Sequence, residues 1–174
     1  NAYNPSGELG VYGGTANTNL NAVNETLDPE ETVNYEVGAQ WDIGALQLRS
    51  AVFRNVMTNA RMVDDTGTTV LDGKRRVDGI EFELSGSITP DWEIYGGLAF
   101  MDGEIVRGPA SVQGKTPLGV AEVQGSVWTV YKFGGGFEIG GGVRGQRGTW
   151  LTDTNIPGSQ IPTYAVLDAM VAYV

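Results

Sequence analysis

Seven stretches of this chain alternate apolar and polar residues with a period of two, and the connections between them alternate short and long. The clearest is Thr32–Asp42. Its odd positions Val33, Tyr35, Val37, Ala39 and Trp41 are apolar or small, and its even positions Thr32, Asn34, Glu36, Gly38, Gln40 and Asp42 are polar or glycine. A strand of this kind has one apolar face and one wet face. Repeated through a meander, the pattern restricts the chain to an all-β fold in which each face must meet a solvent of its own kind. No helix of useful length is expected.

The first strand is predicted over Thr32–Trp41, with a tight turn at Asp42-Ile43-Gly44 leading to a second over Ala45–Thr58. Asp64-Asp65-Thr66-Gly67 reads as a hairpin tip, followed by Lys74–Ser87, a turn at Thr89-Pro90-Asp91, and Trp92–Met101. A long connection, Asp102–Ala121, precedes Glu122–Lys132, the strand whose facing is least clear. Phe133-Gly134-Gly135-Gly136 turns into Phe137–Gly148, and the loop Thr149–Pro162 leads to Thr163–Val174. Residues 1–31 read as a long polar loop that begins at the tail of a further strand near Asn1–Tyr3.

Three features decide which solvent meets the apolar face. Turns at one end are short and those at the other are long, as in outer-membrane barrels. Aromatic residues gather near strand ends, with Trp41, Trp92, Phe133 and Phe137 by the short turns and Phe100 and Trp150 toward the long loops, suggesting two interfacial girdles. Glu36, Arg49, Glu81, Glu83, Glu138, Arg144 and Asp168 fall on the opposite face, as lumen-facing residues would. Charged content of only 18% and 26 glycines, many inside strands, suit a curved barrel wall better than a sandwich core. No stretch is long and apolar enough for a transmembrane helix, but transmembrane strands need only about 9–11 residues. The fold class expected is therefore an antiparallel up-and-down meander within a transmembrane β-barrel. Because bacterial barrels use an even number of strands from eight upward, and unpaired edges are not tolerated in hydrocarbon, about seven strands make residues 1–174 a partial barrel domain.

Other chemistries are thinly represented. A net charge of −10 with scattered basic residues argues against nucleic acid as a partner. The absence of histidine excludes Ser-His-Asp catalysis and His-ligated zinc, and no cysteine is present for thiolate sites. Gly140-x-Gly142-x-x-Gly145 spells a dinucleotide pattern inside a strand, without the strand–turn–helix unit that the chemistry requires. Gly114-Lys115-Thr116 ends like a phosphate-binding loop, but Pro109 stands where the first glycine belongs. Asp64-Asp65 and Glu30-Glu31 read as solvated acidic loop residues rather than a Ca²⁺ site.

The residues also resemble a known family. Leu27-Asp28-Pro29-Glu30 with Asn34-Tyr35-Glu36-Val37-Gly38 and Trp41-Asp42 is similar to the opening of a late barrel strand in TonB-dependent siderophore receptors. Ala51-Val52-Phe53-Arg54, Thr58-Asn59-Ala60-Arg61, Arg76-Val77-Asp78-Gly79-Ile80-Glu81, Ile88-Thr89-Pro90-Asp91-Trp92, Gly140-Gly141-Gly142-Val143-Arg144 and Asp168-Ala169-Met170 continue the pattern in family order. The resemblance covers about residues 25–174 and is strongest to receptors for catecholate-type ferric siderophores. It implies a barrel of about 22 strands with an N-terminal plug, located in the bacterial outer membrane. Such a receptor takes up ferric siderophores as transported ligand, with energy from the TonB complex acting through the plug. Plug and remaining strands are not in these residues. The resemblance implies no enzyme activity, no resident cofactor and no metal ligands. Arg107, Lys115, Arg147 and Trp150, on the long connections, are the ligand-binding candidates, since charge and stacking suit an anionic, aromatic chelate. A passive porin-like channel and a soluble β-sheet binding fragment are the alternatives.

Overall fold

The computed structural model describes residues 2–4, 29–63 and 69–173. Its strands are β1 (Ala2–Asn4), β2 (Glu30–Ile43), β3 (Leu46–Val63), β4 (Thr69–Thr89), β5 (Trp92–Arg107), β6 (Val123–Lys132), β7 (Phe137–Gln146), β8 (Thr149–Trp150), β9 (Gln160–Ile161) and β10 (Tyr164–Tyr173). Eight of them form one antiparallel sheet in the order β1-β2-β3-β4-β5-β6-β7-β10, and β8 pairs with β9 in a two-stranded ribbon. The expected meander is therefore present. The acidic hairpin tip Asp64-Asp65 and most of the polar segment 1–31 lie outside the described residues.

Tight turns follow from local chemistry. Gly44 closes β2 onto β3 at φ 63°, and Gly135 and Gly136 close β6 onto β7 at φ 85° and 86°, a conformation in which a side chain is strained. Register then carries the two faces across the sheet without mixing. Val37, Val52, Ile80, Phe100 and Val123 stand in one row on the apolar face. Gln40, Arg49, Glu83, Gly97, Ser126, Arg144 and Val166 stand in one row on the other.

Most apolar side chains of this sheet have no second layer to pack on. Val37 is 75% exposed and Leu167 is 83% exposed. A β-sandwich would bury both against a facing sheet, whereas lipid supplies that apolar partner for a barrel wall. Along β5 the outward series Trp92, Ile94, Gly96, Leu98 and Phe100 spans about 26 Å, the order of the ~25 Å apolar band of outer-membrane barrels. Aromatics crowd its short-turn end. The Tyr131 and Phe133 rings meet edge to face at 4.8 Å, those of Phe137 and Tyr173 lie 4.9 Å apart, and the Trp92 indole N–H donates to Thr129 Oγ1 at 2.6 Å. At the opposite end Tyr35 and Phe100 close the band. Level with Tyr35 and one row beyond Phe100 an outward-facing ion-pair chain begins, with Arg54 on Asp78 at 2.5 Å, Arg76 on Asp78 at 3.1 Å, and Arg76 on Glu104 at 2.6 Å. Trp150 stands in the β8–β9 ribbon instead of on the wall, so it belongs to no girdle.

Strands β3, β4 and β5 outrun the predicted spans at the long-loop end by several residues. There the strands have left the apolar band, so the alternation that marked them in the sequence lapses although the ladder continues. Register shifts fall at Met57–Ala60–Arg61, Lys74/Arg75 and Ser87/Thr89, leaving the ladder between them regular. Asn59, at φ 54°, sits in the first of these and donates its side-chain N–H to Pro29 O at 3.2 Å. Among the described residues, the one buried apolar cluster, Met62, Ile105 and Val112, also lies beyond the band.

Candidate functional site

The polar face is built strand by strand from positions that alternate with the apolar band. Glu36, Arg49, Glu81, Glu83, Glu138, Arg144 and Asp168 all lie on it by register. Two shallow hollows mark its middle. One, of about 380 Å³, is bordered by Glu81, Glu83, Gln124, Ser126, Arg144 and Tyr164. The other, of about 340 Å³, is bordered by Glu36, Gln40, Arg49, Ala51, Glu81 and Glu83. Glu81 and Glu83 thus form the ridge between them.

Charge on this face is only partly neutralised by close pairing. Arg49 lies 3.8 Å from Glu83 and donates to Gln40 Oε1 at 3.1 Å; Arg144 donates to Asp168 at 3.0 Å. Near the short turns, Lys132 Nζ donates to Glu93 at 2.5 Å, and the Tyr95 hydroxyl donates to the same carboxylate at 3.1 Å. These pairs are exposed to solvent, and exposed pairs steer orientation more than they stabilise. The hollows are suited to hydrogen bonding and electrostatic contact. No cluster of three metal-ligating side chains occurs among the described residues.

Trp128 also lies on the polar face, which explains why the facing of β6 is hard to read. Its indole occupies space left by glycines on β7: a Cβ on Gly140 would fall 2.8 Å from Cζ2, and one on Gly142 would fall 2.6 Å from Cε3. Phe53 similarly lies over Gly79, whose absent Cβ would fall 2.6 Å from Cε1. A large aromatic laid on a neighbouring strand's glycine fills the pleat and pins register. Two of the three strand glycines that spell a dinucleotide pattern, Gly140 and Gly142, are therefore a floor for Trp128.

The four loop candidates are dispersed rather than gathered at one site. Arg107 pairs with Asp72 at 2.9 Å and also donates to Asp72 O at 2.8 Å. Arg147 pairs with Glu122 at 2.8 Å. Lys115 donates to Thr154 O at 2.7 Å, joining two loops. Trp150 is half-buried in the ribbon, its carbonyl accepting from Gly119 N at 2.9 Å. Residues that sequence reasoning passed over do more of the joining. Asp153 accepts from Arg75 at 2.6 Å and from Leu118 N at 2.9 Å. Asn155 accepts from Thr116 N at 3.1 Å and donates back to Thr116 O at 2.9 Å. Glu30, read from the sequence as a solvated loop acid, instead opens β2 and accepts from Arg61 N at 2.7 Å, so it ties β2 to β3.

The sequence profile of the family described as TonB dependent receptor-like, beta-barrel matches residues 1–174. The chain belongs to the TonB-dependent receptor β-barrel family. Within it, the probable TonB-dependent siderophore receptor PiuA of Acinetobacter baumannii is 37% identical over 100 residues, covering 56% of this chain and 13% of PiuA. The catecholate siderophore receptor Fiu of Escherichia coli K12 is 36% identical over 80 residues, covering 44% of this chain and 10% of Fiu. The crystal structure of PiuA superposes with a TM-score of 0.80 at 29% identity, over 88% of this chain and 24% of PiuA. That of Fiu in its closed form gives 0.77 at 26% identity, over 99% of this chain and 25% of Fiu. The chain thus spans at most about a quarter of the length of these TonB-dependent receptors. The meander read from alternation is the wall of a family barrel, and the family is one of receptors and transporters.

Proposed function

We propose that this chain is a sector of the barrel wall of an outer-membrane receptor for TonB-dependent uptake of ferric siderophores. The observation that carries the proposal is a single-layer sheet with an apolar band on one face and a hydrogen-bonding, charged face on the other. Likeness to PiuA and Fiu supports a siderophore, of catecholate type, as the ligand. In this reading the apolar face meets outer-membrane lipid, and Glu36, Arg49, Glu81, Glu83, Glu138, Arg144 and Asp168 line the lumen. The ferric siderophore is cargo, so the wall needs neither a resident cofactor nor a catalytic group. Further strands complete a barrel of about 22, and a plug outside these residues couples the receptor to the TonB complex.

Arg107, Lys115, Arg147 and Trp150 lie on the long-loop side, where an external chelate arrives first. The present partners of Arg107, Lys115 and Arg147 are carboxylates or carbonyls on neighbouring segments, so a contact with ligand there exchanges one acceptor for another. The test is uptake of iron-labelled chelates by iron-starved cells with and without the full-length receptor, together with chelate binding to the purified receptor in detergent. Receptor-dependent uptake of a ferric catecholate, abolished when TonB is removed, is expected. Absence of binding to both catecholate and hydroxamate chelates would overturn the siderophore reading, and uptake that persists without TonB would point to passive passage.

A further inference from the structure

Segments 108–121 and 147–163 leave the sheet at different places, the first between β5 and β6 and the second between β7 and β10. Six hydrogen bonds nevertheless join them. Lys115 Nζ donates to Thr154 O, Thr116 N to Asn155 Oδ1, and Asn155 Nδ2 to Thr116 O. Leu118 N donates to Asp153 Oδ1, Gly119 N to Trp150 O, and Thr149 Oγ1 to Val120 O. Asn155 makes two of its side-chain bonds to Thr116 N and O, the two-way exchange that facing residues make in an antiparallel ladder, and a third to Thr152 O at 3.2 Å. Its φ of 46° turns the chain so that the side chain reaches across.

The joined segments lean over the polar face. Gly103 and Ile105 belong to that face by register, and both are buried. A Cβ on Gly103 would fall 3.1 Å from Pro117 Cδ and 3.1 Å from Val120 Cγ1. Ile105, fully buried, contributes its backbone as well, with its N–H on Lys115 O and its carbonyl accepting from Gly114 N, both at 2.9 Å. The long-loop end of the polar face is thus roofed above the hollow between Glu83 and Arg144. One side chain links both segments to the sheet: Asp153 holds Leu118 N with one oxygen and Arg75 of β4 with the other, at 2.6 Å. That ion pair is the least exposed of those in the described residues, at 22% for Arg75 and 18% for Asp153.

We propose that segments 108–121 and 147–163 are one lid over the outer mouth of the lumen, moving as a unit and pinned shut by Asp153 on Arg75. Its task of admitting ligand rests on the uptake function proposed above; its unity and its pin do not. Two carboxylate oxygens, each engaged with a different element, couple the two joints: removing the Asp153 carboxylate weakens the hold on the sheet and the seam between the segments together.

The test is hydrogen exchange of the full-length receptor in detergent, without any chelate, comparing the parent with Asp153→Asn and Asn155→Gly. Asn155→Gly keeps the left-handed backbone and removes the two side-chain bonds to Thr116 together with one to Thr152 O in its own segment. Asp153→Asn is expected to speed exchange of the Thr116, Leu118 and Gly119 amides by about tenfold or more, although none of these residues lies in the substituted segment. Amides of 149–161 should accelerate by a similar factor, with β6 and β7 unchanged. Acceleration confined to 147–163 would overturn the single lid, and unchanged exchange in both segments would overturn the pin. If Asp153→Asn also loosens β6 and β7, Asn155→Gly decides alone: joint acceleration upholds the unit, and segregated acceleration refutes it. A receptor that binds no siderophore yet shows joint exchange would refute the uptake function and leave the lid standing.

Discussion

At the scale of single residues, the most consequential arrangement is an indole lying where side chains are missing. Trp128 fits the polar face because Gly140 and Gly142 leave room, and a methyl group at Gly140 would meet side-chain atoms first, Trp128 Cζ2 at 2.8 Å and Met170 Cε at 3.2 Å. Gly140→Ala is therefore expected to cost about 1–3 kcal/mol through overpacking. Adding Trp128→Ala should remove most of that penalty, since the collision is with a side chain. A double-mutant cycle on the urea unfolding of the full-length receptor in lipid vesicles checks this, and additive losses would mean that the two groups do not meet. Gly142 behaves differently: its absent Cβ would also press on the Val127 carbonyl, which cannot rotate away. The penalty of Gly142→Ala should accordingly survive removal of the indole.

At the scale of strands, the alternation that was legible in β2, β4, β5 and β10 is a record of two solvents, and it fades where there is only one. Within the band, Leu98 faces out and its neighbour Ala99 faces in beside Gln124. Leu98→Arg is expected to destabilise the folded receptor by about 2–4 kcal/mol, as charge at the depth of the bilayer midplane does. Gln124→Arg, which places the same charge on the polar face, should change stability by less than about 0.5 kcal/mol. Urea titration of folding into vesicles separates the two, and equal losses would contradict the assignment of faces. Past the band, β5 runs on from Asp102 to Arg107 through Gly103 and Ile105, which segment 108–121 covers. Solvent no longer distinguishes the faces there, so residues 102–107 look like loop in the sequence. The facing of β6 was obscure for the opposite reason, because Trp128 puts an apolar group on the wet side. Asp153 and Asn155 left no signal either, since they act through backbone groups 35 and 39 positions away and, for Asp153, through the Arg75 side chain 78 positions away.

At the scale of the whole molecule, the sheet is a partition one side chain thick on each surface, curved within a family of receptors about four times as long. Its ladders run without a break from strand to strand, while the buried apolar cluster of the described residues lies at the long-loop end. This division assigns different work to the two ends. The band end must be regular and slow to open, and the loop end can be joined, unjoined and rearranged without disturbing the ladder beneath it. Removing Arg76, in the outward ion-pair chain at the band's margin, should therefore leave β3–β5 protected in hydrogen exchange while loosening the strand tips near Val63. Loss of protection throughout β4 would show that the margin supports the band.

The register shifts acquire a meaning from where they stand. Each one lies above or below the stretch of ladder that runs from Leu46 and Gly86 to Met57 and Arg75. Inside that stretch a single inserted residue would rotate every later position on its strand by half a turn, delivering arginine to oil and leucine to water. Beside Asn59 the backbone already holds an extra residue in a left-handed kink. Evolution can thus lengthen or shorten this wall at its rims and hardly anywhere between. Inserting one alanine after Val52 should abolish assembly of the receptor in cells, whereas the same insertion after Asn59 should leave a folded, heat-modifiable barrel. Reading frame, in this protein, is kept twice: once in the gene and again in the membrane.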